Sequence, residues 1–242
     1  MDIVWLILIV FAACFTQGLS GFGSALVAMP LLSPMLGLRH AAPLVAMMSG
    51  TLQIVLLVRY RRAFNFRAVW RLLVASAVGV PLGVYGLRQI DERITLGLLG
   101  VVVLAYAIFV LSGVTPPRVR RGLWTYVAGL FGGVLGGAYN TSGPPVILYG
   151  DCCRWPPDEF KSNLQGFFSI NNGFVLVGHA FAGNVTAAVG WDFLITLPAI
   201  AGGVTAALLL DRFISHAVFR KIVLVLLVLL GAQLLLRALF GG

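Results

Sequence analysis

Apolar residues run almost unbroken through this chain, and its polar positions gather in short clusters between the runs. Apolar segments lie at about 2–18, 22–37, 41–58, 68–88, 94–113, 122–139, 143–152, 161–182, 191–210 and 217–237. Most approach the ~20 residues that a helix needs to cross a bilayer core of ~30 Å at 1.5 Å per residue. No polar stretch is long enough for a soluble domain. The pattern predicts an all-α polytopic membrane protein whose first segment is a membrane span rather than a cleaved signal. The segments at 22–37 and 143–152 are short, and each follows a glycine-rich break, "QGLSGFGS" (17–24) and "AYNTSGPP" (138–145).

The two halves resemble each other. "VGVPLGVYGLRQI" (78–90) and "AGGVTAALLLDRFI" (201–214) are both glycine-rich apolar spans that end in an arginine-containing turn and precede a final long span. Each follows an aromatic-bearing loop, "NFRAVW" or "AVGWDFL". Two transmembrane repeats are expected, 1–115 and 116–242, forming one membrane domain. Weak internal symmetry of this kind is common in transporters.

Composition sharpens the class. The chain is 60% hydrophobic and 10% charged, against about 25% charged in an ordinary soluble domain. Its net charge of +9 does not signal nucleic acid, because the arginines cluster in short loops, as cytoplasmic loops do. Arg59, Arg61, Arg62 and Arg67, with Arg71 just beyond, mark one cytoplasmic loop, and Arg118, Arg120 and Arg121 mark another. The loop matching the first in the second half, 182–191, has no basic residue. One loop later the bias reverses, with Arg88 and Arg93 against Arg212, Arg220 and Lys221. Matching loops therefore face opposite sides, which requires an odd number of elements per half. Five elements per half, inverted, satisfy this and place both termini outside.

Backbone breaks inside a bilayer are tolerated only where protein or a water-filled cavity surrounds them. Ser142 is expected to cap a short helix beginning at Pro144 or Pro145, and Ser20 or Ser24 to cap its counterpart. Inverted repeats would then aim two helix N-termini at one spot near the midplane. Helix N-termini attract anions, and Gly21, Gly23 and Gly143 allow a ligand to approach the backbone. The substrate-binding residues expected are Gln17, Ser20, Gly21, Phe22, Gly23, Ser24, Asn140, Thr141, Ser142, Gly143 and Pro144. No lysine or arginine lies among them. Gly79, Gly83, Gly132 and Gly133 read instead as helix-packing positions.

Two motifs, "GLSGFGSALVAMPLL" (18–32) and "GLFGGVLGGAYNTSGPPVILY" (129–149), precede the stretch "WPPDEFK" (155–161). Together they resemble the sulfite exporter TauE/SafE family over essentially the whole chain. The resemblance implies a bacterial inner-membrane exporter of sulfite or a small organosulfonate such as sulfoacetate. It implies that the two motif regions form the site, and it leaves the substrate open. The partners expected are a small anion and the lipid bilayer, with no nucleic acid, and a homodimer is compatible with this reading.

Other chemistry is sparse. Cys14, Cys152 and Cys153 lack metal or disulfide spacing and read as free thiols. The histidines His40, His179 and His216 lie in unrelated segments. No hydrolase or metalloprotease motif is present, so neither an enzyme nor a metal or other cofactor is expected. Asn163, Gln165, Asn171 and Asn172 form a polar stripe, with Ser49, Thr51 and Gln53 as approximate counterparts. Thr51, Gln53, Gln165, Asn171 and Asn172 either line the path or bridge helices. Another small anion, such as a carboxylate, is the alternative cargo.

Overall fold

A computed structural model describes residues 3–60, 63–119, 122–211 and 213–240. Arg61, Arg62, Arg120, Arg121 and Arg212, which enter the loop-charge pattern, lie outside the described residues. Among the described residues the chain forms ten helices. These are α1 Ile3–Ser20, α2 Ser24–Leu36, α3 Leu38–Tyr60, α4 Phe66–Gln89, α5 Glu92–Leu111, α6 Leu123–Tyr139, α7 Gly143–Cys152, α8 Pro157–Phe181, α9 Ala187–Leu210 and α10 His216–Phe240. The protein is an all-α polytopic membrane protein. Six of the helices are long and apolar enough to span a bilayer: α1, α3, α4, α5, α9 and α10.

The remaining four depart from that rule for visible reasons. Helix α6 has 17 residues and stops at the second break. Helix α8 has 25 residues, but its amides dilute its apolar character. Helices α2 and α7, with 13 and 10 residues, reach only about 20 and 15 Å at 1.5 Å per residue, short of a ~30 Å core. Local chemistry ends and starts the helices. Gly37 leaves α2 with φ 76° and its N–H bonds the Ser33 carbonyl. Asp91 caps α5 by accepting from the Arg93 N–H at 2.8 Å, and Thr186 caps α9 by accepting from the Val189 N–H at 3.3 Å.

Helix pairing follows an exchange rule. The main contacts join α4 to α6, α5 to α10, α1 to α9 and α3 to α8. Swapping α1–α5 with α6–α10 turns the α4–α6 pair into α9–α1 and returns α5–α10 and α3–α8 to themselves. It also exchanges α1–α2 with α6–α7, and α3–α9 with α8–α4, all of which touch. Polar ties obey the same rule. His40 at the start of α3 pairs with Asp192 at the start of α9 at 2.7 Å. Asn65, just before α4, donates to Glu159 at the start of α8 at 2.9 Å.

Glycine sets how close the helices come. A Cβ on Gly79 or Gly83 of α4 would fall 2.3 and 2.1 Å from the Leu130 and Val134 carbonyl oxygens of α6. A Cβ on Gly133 or Gly137 of α6 would fall 2.4 and 2.2 Å from the Ser76 and Val80 oxygens of α4. Backbone therefore packs on backbone, as small residues permit in membranes where lipid offers no hydrophobic drive for association. Gly132 plays a different part. It faces Val146 and the Ser142 carbonyl, and so backs the second break rather than the α4 seam.

Candidate functional site

Both breaks open onto the same small cavity. Its volume is about 30 Å³, and it is lined by Gln17 and Phe22–Leu26 from the first break and by Asn140–Gly143 from the second, with Ser49, Gln53 and Phe168 closing it. The first-turn residues of α2 and α7 thus meet across one space, although they lie more than a hundred residues apart in the chain.

The local structure of each break explains this. At the first, Gly21 and Gly23 hold φ of 81° and 103°, left-handed values that glycine adopts without a steric penalty. The Gln17 side-chain oxygen accepts from the Ser24 N–H at 3.2 Å and from the Ser24 hydroxyl. Ser24 is also 3.1 Å from the Ser49 hydroxyl on α3. This leaves the Ala25 and Leu26 N–H groups, the next two of the first turn, without a hydrogen-bond partner among the described residues.

At the second break Asn140 ends α6 with φ 53°, a conformation asparagine tolerates better than most residues. Its N–H bonds the Gly136 carbonyl at 2.8 Å, and the Thr141 N–H bonds the Leu135 carbonyl at 3.2 Å. The Ser142 and Gly143 N–H groups have no backbone partner among the described residues.

The expected caps differ from those observed. Ser142 occupies the cap position of α7, but its side chain makes no capping bond. Gly23, with no side chain to offer, is the cap of α2, and Ser24 is its first residue. The Ser20 hydroxyl lies 2.6 Å from the Thr16 carbonyl and 2.5 Å from the Phe22 carbonyl. It braces the break from within α1. Pro144 and Pro145 also change the expectation for α7: neither carries an N–H. That helix end offers fewer backbone donors than a short helix ordinarily would.

Side chains make up the difference. Gln17 Nε2, Asn140 Nδ2 and Thr141 Oγ1 are buried with no hydrogen-bond partner among the described residues, and all three residues line the cavity. Gln17 and Thr141 are each 2% exposed. Burying an unpaired polar group costs about 1–3 kcal/mol, so three donors left unpaired around one space suit a ligand that accepts hydrogen bonds. Gln53 Oε1 is a fourth unpaired atom at the cavity and is an acceptor. Among the described residues, no basic or acidic side chain lines the space.

The other expected residues are placed as follows. Gln17, Phe22, Gly23, Ser24, Asn140, Thr141, Ser142, Gly143 and Gln53 line the cavity, while Ser20, Gly21, Pro144, Thr51, Gln165, Asn171 and Asn172 do not. The Thr51 hydroxyl donates to the Met47 carbonyl at 3.0 Å within its own helix. The α8 amides tie helices together. Gln165 donates to the Gly21 carbonyl, clamping the first break. Asn171 accepts from the Ser76 hydroxyl of α4. Asn172 donates to the Ala46 carbonyl of α3 at 2.9 Å. Asn163 is fully buried and accepts from the Asn65 N–H at 2.9 Å.

Phe168, Ala25 and Leu26 also line the cavity and were not expected from the sequence. Phe168 neighbours the polar stripe of α8, and the stripe's helical period could have pointed to it. His179 is buried and pairs with Asn184 at 3.0 Å. No group of three or more His, Cys, Asp or Glu side chains suited to a metal occurs among the described residues, and the three cysteines are free.

Helix ends, free backbone N–H groups and orphaned neutral donors thus gather at one space inside a bundle of membrane helices. The chain belongs to the sulfite exporter TauE/SafE family, whose model matches residues 6–234. It is 30% identical to a protein of Cupriavidus necator described as "Probable sulfite/organosulfonate exporter TauE", over 94% of this chain and 91% of that one. No solved structure matches. Members of this family are exporters rather than enzymes.

Proposed function

We propose that this protein exports sulfite or a small organosulfonate such as sulfoacetate, and that the anion is held by neutral donors between the first turns of α2 and α7. The observation that carries the reading is the convergence of three orphaned donors, Gln17 Nε2, Asn140 Nδ2 and Thr141 Oγ1, on one cavity. Each helix end contributes about 0.3–1 kcal/mol, and up to ~2 when partly buried. Each hydrogen bond to a charged ligand adds about 1.5–3 kcal/mol net of the water contacts it replaces, against an association cost of about 4 kcal/mol or more in lost translational and rotational freedom. The net is a modest affinity that lets the anion leave again, whereas a fixed cation would retain it. The family membership and the exporter description of the C. necator relative support the sulfur oxyanion as cargo.

The repeats are read as 1–115 and 116–242, related by inversion, with the site on their shared axis. The exchange rule in the helix contacts supports this. Under the positive-inside pattern the arginine loops face the cytoplasm of the bacterial inner membrane and both termini face outward. Export is then downhill for an anion by ~2.3 kcal/mol per charge per 100 mV, inside negative.

The test is a solid-supported-membrane recording on reconstituted protein, comparing sulfite and sulfoacetate jumps with acetate and chloride. Currents with the sulfur oxyanions that exceed the other two are the expected outcome. Equal or larger currents with acetate would assign the site to carboxylates, and silence with all four would remove the anion assignment.

A further inference from the structure

A second cavity, of about 410 Å³, lies between α4, α6 and α7 and is lined by Arg67, Ala68, Trp70, Arg71, Thr125 and Tyr149. It is chemically unlike the central one. Among the described residues, two guanidinium groups border it and no acidic residue does. Arg67 and Arg71 are four apart on the first turns of α4, so their side chains rise from the same face. The Arg71 guanidinium sits 5.3 Å from the Trp70 ring centroid, a stacking that holds its fork in place. The polar wall opposite is a buried hydroxyl pair, Thr125 and Tyr149, 2.7 Å apart.

We propose that this cavity is an oxyanion-binding site, taking a phosphate- or sulfonate-type group on Arg67 and Arg71. Arginine suits such groups because its planar fork donates two parallel hydrogen bonds to two oxygens of one acceptor. The space is ample for a headgroup-sized anion. Two sources share this chemistry. One is the phosphodiester of an anionic phospholipid: Phe66 and Trp70 are exposed beside the arginines, an arrangement typical of the level where headgroups sit. The other is the exported anion at its point of entry, an arm that rests on the export reading above. Helix α7 joins the two cavities, with Ser142 and Gly143 on the central one and Tyr149 on the arginine-lined one. Gly143 and Tyr149 are six helical steps apart, about 9 Å along the axis. The arginine cavity lies on the face that the loop charges assign to the cytoplasm, from which an exporter must load.

The test uses full-length protein, wild type against Arg67→Gln, Arg71→Gln and the double variant. Both arginines are exposed, so unchanged thermal unfolding is the expected control for folding. In the lipid arm, native mass spectrometry follows retention of phosphatidylglycerol titrated into the detergent-solubilised protein. In the substrate arm, currents on sulfite jumps are recorded in liposomes of phosphatidylcholine alone. At about 1 kcal/mol per basic residue, each loss weakens binding by about fivefold and the double variant by about 25-fold. Lost phosphatidylglycerol retention with an unchanged sulfite response assigns the site to lipid. A raised half-saturating sulfite concentration with the maximal current preserved assigns it to the cargo. A double variant that matches wild type in both arms overturns the site. A wild type silent to sulfite sinks the export reading alone, and phosphatidylglycerol retention then decides the proposal.

Discussion

The two breaks line one cavity with different parts. The first is built for backbone: Gln17 holds the Ser24 N–H, and Ala25 and Leu26 keep theirs free. The second has prolines where those free N–H groups would be, and sets Asn140 and Thr141 side chains toward the cavity instead. The first break is also clamped from α8 by Gln165, whereas the second is held by bonds within its own chain from Asn140 and Thr141 back to α6. Pseudo-symmetric folds need not produce symmetric sites. On the two-repeat reading proposed above, each half delivers a helix end while tuning its donors separately.

The largest effect should come from charge at the second break. Thr141→Asp places a carboxylate beside the anion, and like charges about 4 Å apart repel by about 4 kcal/mol at an effective dielectric of 20. Export currents should fall by at least two orders of magnitude while the protein still inserts and folds. An undiminished current would mean that the anion never passes Thr141.

Bulk comes next. A Cβ on Gly143 meets Ile147 and Phe168 at 3.5 and 3.9 Å, ordinary contacts. Gly143→Ala should therefore transport near wild-type rates, and Gly143→Leu should fill the cavity and stop export, read by the same currents. Equal currents from the two variants would show that the space beside Gly143 is not occupied during transport.

Ala25→Pro is the substitution that tests the comparison itself, since it gives the first break the proline chemistry of the second. Position 25 is in the first turn of α2, where proline costs no helical hydrogen bond. The expected result is folded protein with affinity for sulfite weakened by roughly tenfold, the value of one hydrogen bond to a charged ligand. Unchanged affinity would mean that the first break contributes through its shape and not through its N–H groups.

Helix packing offers the contrast of smallest functional interest. Gly83→Ala drives a Cβ to 2.1 Å from the Val134 carbonyl oxygen, so α4 and α6 must separate. The expected cost is about 1–3 kcal/mol, visible as a lower Tm. Gly173→Ala, with nothing within 4 Å of the new Cβ, should leave Tm unchanged.

Much of this architecture is written locally. All ten elements fall where apolar runs are bounded by glycine, proline or charge, because a bilayer demands such runs and no others. Ends drift where polar residues extend a helix beyond its apolar part, as at the start of α8, which begins at Pro157 and not near 161. The glycine-rich breaks were readable because no lipid-facing segment would carry them. What stayed hidden depends on which helices touch. The His40–Asp192 pair joins residues far apart in sequence. The division of the amides, with Gln53 of α3 at the cavity and Gln165, Asn171 and Asn172 of the α8 stripe between helices, is set by helix rotation. Serine capping was a sound local preference overridden by Gly23, whose positive φ the first break requires.

The central claim, that buried unpaired donors wait for an oxyanion, predicts an inverse relation between empty-state stability and ligand response. Thr141→Val removes one such donor with almost no change in shape, and with it the cost of an unsatisfied buried hydroxyl. Thermal unfolding of the purified protein across a sulfite titration reads both quantities at once. The account predicts that Thr141→Val unfolds at the same or a higher temperature than wild type without sulfite, and that it needs about tenfold or more sulfite for the same rise in Tm. A variant that is less stable when empty yet gains as much from sulfite as wild type would contradict it.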